Sequence, residues 1–319
     1  MPKPLPNPSF GSRKGREQSR TFLLPRRLYI PTVYDLILMV SPLKRLTDDI
    51  VNTWSTMPKS QALRWYGAVL THFPTILRER KFYSADTAMK GNLRFFALGR
   101  DFNVDVDAIN SSPGNGYAFL REFFVRQIYF REFKTLNFDT CLDLGSNTGV
   151  VSSMLKQLSG PEGKVIGVDP HTYPDNPFRT RLNSVSGLTI HQGVLCGESI
   201  RHDSAALHSM CDRYNFDTKL AITVAELKAL YGIKHVDFVK IDIEGAEFTI
   251  FRDSVAWLDG IDNLAMEVHR DAGDPQELIA ILQQAGYRVK WLDEAGYPTE
   301  QTTAGYIYAS KNGSLKAEA

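Results

Sequence analysis

From residue 139 onward, apolar runs of strand length alternate with stretches of helical periodicity. The strand-like runs fall at 139–144, 164–169, 188–194, 236–242, 263–268, 287–292 and 305–309. Helical patterns fit between them at 149–158, 177–185, 223–231, 246–258 and 275–285. A strand followed by a helix cannot pair with the next strand through a tight hairpin. The alternation therefore predicts an α/β fold, with a mainly parallel sheet covered by helices on both faces.

The chain before residue 139 follows a different pattern. Pro2, Pro4, Pro6 and Pro8 favour extended polyproline conformation. Residues 1–20 accordingly read as a flexible arm, followed by a mostly helical extension over 21–114. Apolar residues recur at helical spacing from Val33 to about Arg80, with breaks expected at Pro42, Pro58 and Pro74. Residues 92–109 alternate as a hairpin would, S-S-P-G-N-G at 111–116 is a turn cluster, and 117–133 read as one aromatic-rich helix.

Charge separates the arm from the body. Of 37 Lys+Arg and 36 Asp+Glu, residues 1–31 hold seven bases and one acid, for +6, which leaves −5 on the remainder. A nucleic-acid-binding surface over the body is not supported by this distribution. The cysteines Cys141, Cys196 and Cys211 are odd in number and show no C-x-x-C spacing, so neither a disulfide framework nor a zinc site is indicated. A reducing compartment, the cytoplasm, is the expectation. The apolar run Leu36–Val40 is too short for a bilayer, which needs about 20 residues, and no small-residue cleavage site follows it. The arm is Arg-rich and acid-poor, as organelle transit peptides are, but its prolines oppose an amphipathic helix.

The first strand of the alternating region runs into C-L-D-L-G-S-N-T-G, residues 141–149, and a helix follows. Glycine at such a turn lets backbone approach a ligand where a side chain would collide, and the helix start offers unpaired N–H groups. The G-x-G-x-x-G fingerprint of dinucleotide sites is absent, because Asn147 stands at the middle glycine. No G-K-[ST] follows, which excludes a P-loop. Asp143, two residues before Gly145, would repel a pyrophosphate; it suits the ammonium and sulfonium of S-adenosylmethionine (SAM). The alternative is that Gly145 and Gly149 only make a tight turn. The second strand, K-V-I-G-V-D-P, ends at Asp169, 20 residues beyond Gly149, a spacing at which a carboxylate can accept bonds from ribose hydroxyls. The bland alternative is an exposed strand-end aspartate.

V-D-F-V-K-I-D-I-E-G-A-E, residues 236–247, ends a buried strand at Asp242 and turns at Glu244-Gly245. Ligands of open parallel sheets sit beyond the carboxyl ends of strands, so Asp242 is expected to face the methionine end of the cofactor or the acceptor. Glu247 falls in the first turn of the next helix, where the helix dipole is sufficient reason for it. The following strand, N-L-A-M-E-V-H-R, carries Glu267 and His269 on one face by period two. Methyl transfer to a hydroxyl calls for a base, and His269 is the natural candidate; an orienting contact or a solvated strand end is the alternative. Asp242, Glu244 and Glu267 offer hard oxygen ligands for Mg²⁺, though their spacing does not demand a metal.

With D-L-G-S-N-T-G-V, V-I-G-V-D-P, the long segment I-T-V-A-E-L-K through K-I-D-I-E-G-A-E, L-A-M-E-V-H and Q-Q-A-G-Y-R-V in order, the chain resembles the FkbM-type methyltransferases, a branch of the class I SAM-dependent enzymes. K-I-D-I-E-G-A-E is the most specific segment. The resemblance covers about 115–310, and residues 311–319 are then a tail. It implies a Rossmann-like seven-stranded sheet with the last strand antiparallel, and O-methylation of hydroxyls on sugars or other small molecules. By that likeness Asp143, Gly145, Ser146, Asn147 and Gly149 would line the SAM methionine and ribose. Asp169 would hold the ribose, and the chain near Val194 would border the adenine. The second strand ends D-P where the family often has E-P. The loop 196–219 is longer than usual and is either a lid over the acceptor or a solvated insertion, the latter being the simpler reading.

The leading expectation is O-methylation of a hydroxyl-bearing small molecule or glycan. An RNA-modifying methyltransferase using the basic arm is the second reading; D-I-E-G in place of N-P-P-Y opposes base N-methylation. An NAD-dependent oxidoreductase is opposed by Asp143 and the missing glycines. A non-catalytic SAM-fold binding module is opposed by Asp242, Glu267 and His269.

Overall fold

The computed structural model describes residues 33–79, 81–109, 115–214 and 216–317. The arm over 1–20 and most of the turn cluster at 111–116 lie outside the described residues. By its contacts the chain divides into residues 1–41 and 42–319. Of the first unit only residues 33–41 are described, as the opening of helix α1 (Val33–Thr56).

Helices α2 (Lys59–Thr71), α3 (Phe73–Glu79) and α4 (Tyr83–Asp86) follow. Of the three expected proline breaks, the one at Pro58 separates α1 from α2, whereas α1 continues through Pro42 and Pro74 falls in the first turn of α3, where its missing N–H has no helical partner to lose. The hairpin pairs β1 (Asn92–Ala97) with β2 (Arg100–Asp105) across Leu98-Gly99, both at positive φ, as a two-residue turn between twisted strands requires. Residues 106–109, expected to extend the hairpin, form a short helix α5 (Val106–Ile109) instead.

The aromatic segment departs furthest from expectation. Helix α6 (Asn115–Leu120) widens into a π-turn over Arg121–Val125 and stops; Gln127 then takes a φ of 51°. A single helix to residue 133 is therefore replaced by a chain reversal. The reason is tertiary: the wide turn lets Arg121 and Arg126 both reach Asp49, at 2.8 and 2.6 Å.

The alternating region then builds β3 (Thr140–Leu144), α7 (Val150–Ser159), β4 (Lys164–Asp169), α8 (Pro177–Leu182), β5 (Leu188–Gln192), β6 (Val194–Leu195), α9 (Glu198–His202), α10 (Ser204–Tyr214), β7 (Ala221–Ile222), α11 (Val224–Leu230), β8 (Val236–Ile241), α12 (Glu247–Arg252), β9 (Ile261–Glu267), α13 (Pro275–Gln284), β10 (Arg288–Leu292) and β11 (Tyr306–Ser310). Seven strands form one sheet in the order β10-β11-β9-β8-β3-β4-β5. Only β11 runs antiparallel, against both β9 and β10. The expected Rossmann-like α/β architecture, last strand included, is the observed one.

Period-two alternation divides the core between the two faces of this sheet. Cys141, Val165, Phe238 and Ala265 pack on one side with α7 and the aromatic segment, through Met154, Leu155, Phe130 and Phe133. Leu142, Leu144, Ile166, Val239 and Ile241 pack on the other with α11 and α13, through Leu227, Leu278 and Leu282. Both faces are covered, which is why these strands read as continuous apolar runs.

Candidate active site

Strand β3 ends at a turn that only glycine can make. Gly145 has a φ of 80°, and a Cβ placed on it would lie 1.6 Å from the Asp242 carbonyl oxygen. The loop after β3 thus touches the loop after β8, and the two define one rim of a cavity of about 440 Å³. Gly145, Ser146, Asn147, Asp169, Val194 and Asp242, six of the residues expected at a cofactor or acceptor site, line it. Ser146 is buried and its Oγ has no hydrogen-bond partner in the protein, so the cavity offers it a place to meet a ligand.

Two expected cofactor residues do not line the cavity. Gly149 caps α7 at a φ of 92°, and a Cβ there would meet Leu182 Cδ1 at 2.4 Å; its role is helix packing. Asp143 is completely buried beneath the loop. It accepts from Ser152 Oγ at 2.6 Å and lies 3.3 Å from Lys240 Nζ. Burial pushes its carboxyl up against the opposing pull of Lys240 and Ser152. Lys240 in turn donates to the Gly145 carbonyl at 2.5 Å and sits 3.5 Å from Asp242. Asp143 therefore faces Lys240 beneath the loop and does not line the cavity. Asp169 accepts from the Asn147 and His171 backbone N–H groups at 2.7 and 2.9 Å, which ties β4 to the glycine turn; two bonds leave lone pairs free on a carboxylate.

Asp242, Glu267 and His269 are brought together at the same end of the sheet. Tyr129 joins the two carboxylates, its hydroxyl lying 3.0 Å from Asp242 Oδ2 and 3.2 Å from Glu267 Oε2. His269 Nε2 lies 4.0 Å from Asp242 and 3.4 Å from Glu244, while Nδ1 lies 3.1 Å from the buried Glu247. That bond to Glu247 raises the imidazole to about 9, so His269 is charged at neutral pH. Burial, with Asp242 nearby, raises Glu267 to about 7.

Sequence comparison then identifies the region that carries this geometry. Residues 143–289 match the methyltransferase FkbM domain. No curated protein matches the chain by sequence. Among solved structures, the chain is similar to a SAM-dependent methyltransferase from Aquifex aeolicus, at 16% identity and a TM-score of 0.30, over 57% of this chain and 90% of that one. It is similar to fibrillarin from Aeropyrum pernix with natively bound SAM, at 16% identity and a TM-score of 0.33, over 69% and 82%. A SAM-dependent O-methyltransferase from Thermotoga maritima matches at 14% identity and a TM-score of 0.33, over 71% and 79%. What the sequence match shows is a segment, residues 143–289, similar to the methyltransferase FkbM domain.

Several residues around the cavity escape a reading of the sequence motifs. Phe119 and Phe123, in an edge-on pair at 4.2 Å, form one wall from outside the matched segment. Met210 and Phe216 from the long 196–219 loop form another, with Phe216 5.1 Å from His171. That loop is not merely a solvated insertion: Leu207 and Cys211 anchor it in a small core with Cys196 and Ala221. Lys240 did leave a signal. A charged residue at a fully buried strand position, two before Asp242 and hence on its face, needs a partner. Mg²⁺ is not supported. Asp242 and Glu244 converge with His269 instead of Glu267, and that imidazole is already protonated, with the Lys240 ammonium close by.

Proposed function

We propose that the cavity binds SAM and that the domain methylates a hydroxyl on a small molecule, sugar or glycan. The observation that carries this reading is the charge of the site. Asp169, Asp242 and the exposed Glu244 line the cavity against the single ammonium of Lys240, so a cationic ligand is favoured and a pyrophosphate opposed. Ser146, Asn147 and the loop at Gly145 would border the methionine end, Asp169 would hold the ribose, and Val194 with His171 and Phe216 would flank the adenine.

SAM when bound supplies an electrophilic methyl group. The chain's own residues then position the acceptor and take its proton. Asp242, at the cavity wall, orients the hydroxyl. The carboxylate pair is favoured over His269 as the base, because the bond to Glu247 holds the imidazole toward its charged form. Glu267, near half ionisation at neutral pH and joined to Asp242 through Tyr129, is the group suited to hold the proton. His269 fixes Asp242 and Glu244 as a charged partner. Cys141, Cys196 and Cys211 are all buried free thiols, in keeping with a cytoplasmic placement.

The test is incubation of the full chain with methyl-labelled SAM and a cell extract, followed by mass spectrometry of the labelled product. Label on a small-molecule or glycan oxygen is the expected result. Label on RNA, or none in any fraction, would overturn the reading.

A further inference from the structure

Exposed apolar surface is concentrated in one part of the molecule. Of the eleven large hydrophobic residues that stand exposed among the described residues, nine lie between Ile50 and Phe96. Helix α2 shows how. It buries Ala62, Trp65 and Val69 on one side. Leu63 and Leu70, seven residues apart and so on one stripe, face solvent at 58% and 76% exposure. Trp54 on α1 stacks on Tyr66 of α2 at 6.2 Å, which carries the stripe across to the neighbouring helix, and Lys59 Nζ sits 3.9 Å over the Trp54 ring. Phe73 and Leu77, four apart, are exposed together on one side of the following helix α3.

The charge exposed on the same helices is of one sign in the main. Lys59, Arg64 and Arg78 are exposed, as is Lys81 just beyond α3; Arg78 is paired with Glu79 at 2.9 Å. Of the acids between residues 42 and 86, Asp49 and Asp86 are withdrawn into the interior against Arg121. Asp48 and Glu79 remain.

We propose that this face of α1–α3 docks on an anionic lipid surface. Leu63, Leu70, Leu77 and Trp54 would enter the boundary between headgroups and acyl chains, and Lys59, Arg64 and Arg78 would meet the anionic headgroups. Charge selects this occupant. A second copy seated on the same patch would set these cations against one another. A nucleic acid would satisfy the cations and leave the leucines in water. No helix among the described residues is long and apolar enough to cross a membrane, so the contact is peripheral. The +6 charge of residues 1–31 adds long-range attraction of the same sign.

The experiment is flotation of the full chain with vesicles of phosphatidylcholine alone and of phosphatidylcholine mixed with phosphatidylserine. The chain is expected on the mixed vesicles only, less so as salt is raised. A Leu63→Ser, Leu70→Ser variant should partition about tenfold more weakly or worse, with an unchanged melting temperature because both side chains are exposed. A Lys59→Glu, Arg64→Glu variant should lose the preference for phosphatidylserine. Three results would overturn the proposal: no binding, or equal binding to both vesicles; a wild-type dimer that the leucine variant renders monomeric; or tight binding to an RNA oligonucleotide that the leucine variant leaves intact while vesicle binding is absent.

Discussion

Two clusters of buried charge lie in this molecule, and they are built on opposite plans. In the first, Arg121 and Arg126 meet Asp49 and Asp86, with Arg45 and Glu122 beside them. Arg121 donates to Asp49 and Asp86 at 2.8 Å each, and Arg126 adds two bonds to Asp49 at 2.6 and 2.7 Å. Trp65 Nε1 supplies a further donor to Asp86. Burial would push Asp49 up, but Arg126 and Arg121 outweigh it and hold its carboxyl below the usual range. In the second cluster carboxylates are in excess, and Asp143 and Glu267 are pushed up by burial instead. A balanced cluster with every oxygen bonded clamps the helical extension to the segment ahead of β3. An unbalanced one beside a cavity stores negative charge that a cationic ligand can neutralise.

Four variants break or sharpen that contrast. The largest effect is expected from Asp242→Asn, which keeps the shape of the unbalanced cluster and removes its cavity-facing charge. Labelled methyl transfer should fall by about 10²–10⁴-fold with little change in melting temperature; transfer at the parent rate would remove Asp242 from the chemistry. Arg121→Met leaves Asp49 and Asp86 partly unpaired in the interior. Denaturant unfolding should show a loss of about 3–5 kcal/mol, while SAM affinity of the folded protein stays the same. A variant as stable as the parent would contradict the clamp. Asp169→Ala should weaken SAM by about 10–100-fold, the worth of charge-assisted bonds to two hydroxyls, as read by calorimetry; unchanged affinity would take Asp169 out of the site.

The smallest effect concerns pH. The His269 pKa is raised in the fold to about 9, so its contribution is fully present below the unfolded value of about 6.5 and is lost as pH rises through 9. Stability should decline across that window, and His269→Gln should flatten the decline. If methyl transfer by the parent rises only as pH passes 9, His269 is the base after all; a rise centred near 7 fits Glu267.

The fold was largely legible because its strands are buried on both faces. Lys164–Asp169 and Val236–Ile241 announce themselves as apolar runs closed by an acid, and the turn chemistry at Gly145 follows from the same local grammar. What the sequence hid depends on distant partners. The aromatic segment reads as one helix, and only Asp49, more than seventy residues upstream, supplies the reason for its π-turn and reversal. That reversal delivers Tyr129 to Asp242 and Glu267, and a local pattern carries no trace of it. Asp143 stands out in the sequence as an acid at the glycine turn, expected to line the cofactor site. Its direction was not readable, because the partner that draws it inward, Lys240, lies on the adjacent strand.

The most direct test of the central claim is calorimetric titration of the full chain with SAM and, separately, with NAD. Saturable binding of SAM, with no heat from NAD, is the predicted result. Saturable NAD binding with none of SAM would mean that the cavity accepts a pyrophosphate despite its carboxylates, and would contradict the account.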